Sequence, residues 1–104
     1  MRNQYLLHGK LTAKSGHQDD LSLILLEASK LLSSAKGCKL YVVGKEENDK
    51  SSIYITEIWD SKTDHESSLQ IEGVKELIMK AIPILEKQPE KGQEIELLGG
   101  IGLG

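Results

Sequence analysis

The chain has 104 residues, a formal net charge of −3 and one cysteine. This length predicts one domain, spanning residues 1–104. A lone cysteine excludes an internal disulfide framework, and the scattered lysines lack the clustered positive surface that nucleic-acid binding requires. Because no apolar run approaches the about 20 residues of a membrane span and no signal peptide is evident, we expect a soluble cytoplasmic protein with no membrane partner.

Aromatic side chains are scarce. The sequence has one Trp, three Tyr and no Phe: Trp59, Tyr5, Tyr41 and Tyr54. The core is therefore predicted to be aliphatic, and a platform of several aromatic rings for stacking bases is excluded.

The first half of the chain predicts a strand, a helix and a strand pair. Apolar and polar residues alternate over 5–14, which indicates a strand. Apolar residues then recur at helical spacing from about 18 to about 35, and Lys36-Gly37 is typical of a helix end. Strands are predicted over 38–46 and 53–59, joined by a polar turn.

The second half predicts two helical segments and a last strand. Ser61 has the position of a helix N-cap, and a short helix follows to about Leu69. Gly73 permits a break before a helical stripe over 74–85, which Pro83 should kink or end. A fourth strand is expected over 93–98, followed by a glycine-rich tail over 99–104.

The order β-α-β-β-α-β predicts a ferredoxin-like α+β fold, a four-stranded antiparallel sheet with helices on one face. Alternation then predicts a half-apolar opposite face that contains Tyr41, Val43, Tyr54 and Ile58. Such a face is typical of a homodimer interface. The alternative is a solvated face with a few tolerated apolar residues.

The motifs of metal, nucleotide and nucleophilic sites are absent from the sequence. His8, His17 and His65 are far apart, and Cys38 has no second cysteine with which to bind a metal. The glycines of the tail resemble a phosphate loop only superficially, because no helix follows them.

Several stretches together resemble the antibiotic biosynthesis monooxygenase family of small dimeric α+β barrel proteins. These stretches are Ser15–Leu21, Gly37–Tyr41, Thr56–Lys62, His65–Gln70 and the tail Gly99–Leu103, which is similar to a branch named for quinol oxidation. The resemblance implies an oxygenase that acts on an aromatic substrate and uses no metal, flavin or haem cofactor.

The resemblance also implies site residues. It places Trp59 at the wall of a cavity between sheet and helices, where its indole can contact a planar substrate. The substrate-holding position four residues earlier is Ile55 here, a departure from the polar residue of polyketide-oxidising relatives. The functional position six residues after the tryptophan is His65, whose imidazole can accept a phenolic proton. The plainer alternatives are core packing for Trp59 and an exposed helix turn for His65.

Glu57 is the remaining candidate, because it shares a strand face with Trp59. A buried carboxylate there can act as a base with a raised pKa. The alternative is an ion pair with a lysine at the sheet edge or the dimer interface.

The leading hypothesis is therefore a cofactor-independent monooxygenase in which Glu57 and His65 are catalytic and Trp59 and Ile55 bind a small electron-rich aromatic such as a quinol. Dioxygen is the second substrate. Two alternatives stay open: a dimeric ligand-binding or stress-response module without catalysis, and a proton-transfer isomerase on the same fold.

Overall fold

The computed structural model describes residues 3–90 and 92–102. Its elements follow the predicted order: β1 (Gln4–Thr12), α1 (Gln18–Leu32), β2 (Cys38–Gly44), β3 (Ser52–Trp59), α2 (Lys62–Ser68), α3 (Val74–Ala81), a 3-10 turn (Ile82–Ile84) and β4 (Gln93–Leu97). The predicted tail is described as far as Gly102, and its last two residues lie outside the described residues.

The four strands form one antiparallel sheet in the order β2-β3-β1-β4. β3 and β1 are thus the central strands, and the helices cover one face of the sheet. This arrangement confirms the ferredoxin-like α+β fold.

The core lies between the helices and the sheet in two clusters. One is formed by the residue after β1, by α1, β3 and α3, and by the residue after the 3-10 turn; it contains Ala13, Leu21, Leu25, Ile53, Ala81 and Leu85. The other packs the only tryptophan, Trp59, against Leu32 of α1 and Val74 of α3. Aliphatic side chains therefore supply almost all the buried surface, as the composition predicts.

The local signals around α2 and α3 are confirmed. The Ser61 hydroxyl accepts a hydrogen bond from the Asp64 amide at 3.1 Å and caps α2. Pro83 lies in the 3-10 turn that ends α3, so the regular helix stops at Ala81 rather than continuing to residue 85.

Several elements end earlier than predicted, including β2 at Gly44 and β4 at Leu97. α1 ends at Leu32 rather than near residue 35. At this end the Ser33 hydroxyl donates to the Lys30 carbonyl, which competes with the backbone hydrogen bonds of a longer helix. Gly37, with φ of 80°, then turns the chain into β2, and a Cβ there would collide with the Asp64 carboxylate. β1 ends at Thr12, and Ala13 forms only an isolated bridge to Leu85.

The prediction of which β2 side chains face the helices is wrong. Cys38 pairs with Trp59 and Leu40 with Ile58, so Lys39 is an extra residue in a β-bulge. One extra residue reverses the alternation that follows it. Tyr41 therefore points towards the helices, beside the Trp59 cluster.

Val43 likewise packs against the helix-side core, whereas Leu40 and Val42 are exposed on the opposite face. The sequence could not reveal this inversion, because both sides of β2 are apolar. Tyr54 and Ile58 lie on the open face as predicted, since they alternate with the helix-facing residues of β3.

No helix in the described ranges is long and apolar enough to cross a membrane.

Replacing the cap of α2 tests its local stability. Ser61→Ala should lower the free energy of unfolding by about 1 kcal/mol, because it removes the acceptor for the Asp64 amide. Urea denaturation monitored by circular dichroism measures the change. Ser29→Ala is the matched control, since the Ser29 hydroxyl donates only to a carbonyl within α1. An equal loss in both variants would contradict the capping role.

Candidate active site

A carboxylate lies at the centre of the helix-facing side of the sheet. Glu57 is on the central strand β3, where its partners across the sheet are Leu7 of β1 and Tyr41 of β2. Only 9% of the residue is exposed. Burial of an ionisable group at this depth requires either a partner or a function.

Trp59 holds that carboxylate in place. The two residues are separated by two positions on β3 and thus share a face. The Trp59 indole Nε1 donates to Glu57 Oε1 at 3.0 Å. Because Trp59 itself is 0% exposed and packs against Leu32 and Val74, this donor has little freedom to move.

His65 approaches the same carboxylate oxygen from α2. Its Nε2 lies 3.6 Å from Glu57 Oε1, which is just beyond a hydrogen bond and within the range of an ion pair when the imidazole is protonated. The ring packs edge-on against Trp59 with centroids 5.7 Å apart, and lies 5.9 Å from the ring of Tyr5. The side chain is 16% exposed, so His65 links the carboxylate to the exterior of the site.

The environment makes Glu57 a weaker acid than an ordinary glutamate. Burial raises the pKa of Glu57, and this effect exceeds the opposing effects of the Trp59 hydrogen bond and the His65 charge. A raised pKa makes the ionised carboxylate a stronger base.

A cavity of about 330 Å³ adjoins Glu57 and lies between the sheet and the helices. Most of its wall is aliphatic and comes from Leu11, α1, α3 and the segment after α3. The polar residues of the wall are Tyr41, Glu57, His65 and Ser68. Ligand pockets occupy about 300–1,000 Å³, so this cavity suits a small ligand of one or two rings.

The predicted site residues separate into two groups. Glu57 and His65 line the cavity together. Trp59 is behind Glu57 and is not among the lining residues, and Ile55 packs against the aliphatic core cluster that contains Ile53. Trp59 thus contacts the carboxylate, and Ile55 contacts the core beneath the site.

The sequence analysis missed two further polar residues of the wall, Tyr41 and Ser68. Tyr41 was expected on the opposite face, and its position in the wall could be predicted only if the bulge at Lys39 were known. Ser68 is 3% exposed, and its hydroxyl donates to the His65 carbonyl, so it fixes the turn of α2 that carries the imidazole.

Among the described residues, no group of three or more His, Cys, Asp or Glu side chains could hold a metal ion.

Comparison with known proteins identifies the family. The family model for antibiotic biosynthesis monooxygenase matches residues 4–79, and this chain belongs to that family. No curated protein matches the chain significantly.

Solved structures support the same assignment. A candidate antibiotic biosynthesis monooxygenase from Chloroflexus aurantiacus J-10-fl is 37% identical, with 97% of this chain and 99% of that chain covered and a TM-score of 0.85. Candidates from Nitrosomonas europaea and Caulobacter crescentus CB15 are each 10% identical, with TM-scores of 0.88 and 0.84. The match to the Nitrosomonas europaea protein covers 98% of this chain and 97% of that chain, and the match to the Caulobacter crescentus CB15 protein covers 94% of this chain and 92% of that chain. At this identity they show the fold alone.

The buried carboxylate predicts a pH-dependent stability. The pKa of Glu57 in the folded state is raised above the ordinary 4.5. Above pH 4.5 the protonated fraction of this carboxyl group is therefore larger in the folded than in the unfolded state. Folding stability due to this group should therefore fall as the pH rises from about 4.5 towards neutrality, because the folded state gives up its proton later than the unfolded state does. Glu57→Gln, which retains an acceptor for Trp59, should remove this fall.

Urea denaturation across this pH range measures the difference. Glu27→Gln, at an exposed position of α1, is the control and should follow the wild-type curve. If the free energy of unfolding of Glu57→Gln changes with pH as it does in the wild type, the carboxylate is not held in the environment described above.

Proposed function

We propose that the protein is a cofactor-independent monooxygenase that oxidises a small electron-rich aromatic, such as a quinol, with dioxygen. The observation that carries this proposal is Glu57, a buried carboxylate of raised pKa at the wall of an apolar cavity that suits a ligand of one or two rings. Family membership supports the reaction class.

The first step is proton abstraction. A phenolic hydroxyl in the cavity gives its proton to the Glu57 carboxylate, which leaves a ring anion in a poorly hydrated space. His65 lies 3.6 Å from Glu57 Oε1 and can accept that proton and pass it towards solvent. Glu57 and His65 are thus the catalytic residues of the proposal.

Oxidation of the anion completes the reaction. The ring anion transfers one electron to dioxygen, and the two radicals combine as a peroxide anion. This anion takes one proton back to become a hydroperoxide, and loss of water leaves a hydroxylated quinone. A quinol and O2 thus give a hydroxyquinone and H2O, and the atoms balance. The protein contributes orientation, a dry cavity and proton transfer.

Trp59 and Ile55 support this chemistry from behind the wall. The Trp59 indole orients Glu57 and lowers the pKa that burial raises. Ile55 packs under the sheet side of the cavity, against the cluster of Ile53 and Leu25. Both therefore shape the substrate site through the groups that line it.

The open face of the sheet supports a homodimer. Leu6, Ile58 and Ile95 are adjacent across β1, β3 and β4, and Leu40 and Val42 continue the apolar surface on β2. Leu40, Val42 and Ile95 remain 36%, 48% and 43% exposed. An apolar sheet face of this kind fits a second copy of the chain.

Oxygen uptake tests the reaction. A metal-stripped sample should consume oxygen with at least one member of a panel of substituted hydroquinones, and Glu57→Gln should lower the rate by about 10²- to 10⁴-fold because it removes the base. Glu27→Gln is the matched control and should retain the rate. Product analysis should show one oxygen atom incorporated per molecule of substrate.

Other outcomes would contradict the oxygenase. Absence of turnover above the uncatalysed rate across the panel, with ligand binding retained, would favour a binding module. Conversion of substrate without oxygen uptake would favour a proton-transfer isomerase. If His65→Ala retains the full rate, proton transfer through His65 is wrong even where the oxygenase is right.

The dimer is tested on its own. Analytical ultracentrifugation of the wild type should give twice the 11.5 kDa chain mass. Val42→Glu should shift the protein towards the monomer, because it places a charge in the proposed interface. Leu23→Glu is the control, since Leu23 is 65% exposed on α1, away from the sheet. A wild-type monomer at micromolar concentration would contradict the interface.

A further inference from the structure

Tyr41 and Ser68 are the polar wall residues that the proposed reaction has not used, and the Ser68 hydroxyl already donates to the His65 carbonyl. The bulge at Lys39 turns Tyr41 into the cavity, directly across the strand pair from Glu57. Opposite residues of an antiparallel pair have Cβ atoms about 4.5–5.5 Å apart. The phenol and the carboxylate therefore enter the cavity side by side.

The Tyr41 hydroxyl is available to a ligand. It has no hydrogen-bond partner among residues 3–90 and 92–102, although the residue is only partly exposed. Trp59 and His65 both approach Oε1 of Glu57, and the Oε2 atom has no hydrogen-bond partner in the same ranges. One donor and one acceptor without protein partners thus belong to residues that line the same aliphatic cavity from neighbouring strands.

The protonation state of Tyr41 suits a donor. Burial, then the charge of Glu57 and then Cys38 raise the pKa of Tyr41, so the phenol keeps its proton at neutral pH. A protonated phenol can donate to an anionic oxygen, and a hydrogen bond to a charged group is roughly twice as strong as a neutral one.

We propose that the Tyr41 hydroxyl donates a hydrogen bond to the ligand oxygen whose proton Glu57 accepts. The ligand O–H bond breaks, the proton moves to the carboxylate, and the electron pair stays on the ligand oxygen opposite Tyr41. This inference rests on the proposed function, and it names the group that stabilises the ring anion before oxygen reacts.

The same geometry selects the ligand class. A carboxylic acid would enter ionised, beside the Glu57 charge, and no Lys or Arg is among the described lining residues to offset the repulsion. A ring without a hydroxyl would leave both polar groups unpaired. Neutral phenols satisfy Tyr41 and Glu57 together.

Binding of 4-nitrophenol tests the inference without turnover. Its neutral and anionic forms absorb at different wavelengths, and its electron-poor ring resists oxidation. Mixed with wild-type protein at a pH where the free phenol is mostly neutral, it should show an increased anion band. Tyr41→Phe should bind the anion about tenfold more weakly, since it loses one charge-assisted hydrogen bond.

Tyr54→Phe is the matched control. Tyr54 lies on the open face of the sheet, where its hydroxyl donates to Glu46 at 2.6 Å, and its replacement should leave the anion band unchanged. An NMR cross-peak between the ring protons of bound 4-nitrophenol and those of Tyr41 tests the contact in the unaltered protein.

The outcomes separate this inference from the proposed function. An unchanged anion band in Tyr41→Phe, no cross-peak, or no binding of 4-nitrophenol to the wild type would overturn the role of Tyr41, even if hydroquinones are oxidised. A Tyr41-dependent anion band without oxygen uptake on any hydroquinone would uphold the role of Tyr41 and overturn the monooxygenase.

Discussion

The hydrogen bond from Trp59 to Glu57 is the interaction on which the site depends. Glu57 is buried on the central strand of the sheet, where an unpaired carboxylate would be costly. The indole supplies one fixed donor, and its own position is secured by complete burial against α1 and α3. The core thus orients a carboxyl group of raised pKa that lines the cavity.

The composition, rich in aliphatic and poor in aromatic residues, determines the surroundings of this site. The side chains of α1 and α3 leave a cavity of about 330 Å³ with few polar atoms, so the charge of Glu57 meets little competing water. With so few aromatic residues in the chain, each ring has a distinct place. Trp59 supports the carboxylate, Tyr41 enters the cavity, Tyr5 contacts His65, and Tyr54 stacks with His8 on the open face.

One extra residue in β2 determines which side chains of that strand lie on each face of the sheet. The bulge at Lys39 turns Tyr41 and Val43 inwards and moves Leu40 and Val42 to the open face. It therefore adds a phenol to the cavity and aliphatic surface to the proposed dimer interface. A straight β2 would have had the reverse effect, with Tyr41 on the surface and Leu40 in the core.

The sequence by itself determined the element order, the Ser61 cap, the stop at Pro83 and the shared face of Glu57 and Trp59. Each of these follows from local chemistry: alternation, a side-chain acceptor, a missing donor and a period of two. Only the tertiary structure decided that His65 meets Glu57, that Trp59 lies behind the wall and that Tyr41 lines it. Those facts depend on a bulge and on packing between distant segments, and local sequence pattern does not specify either.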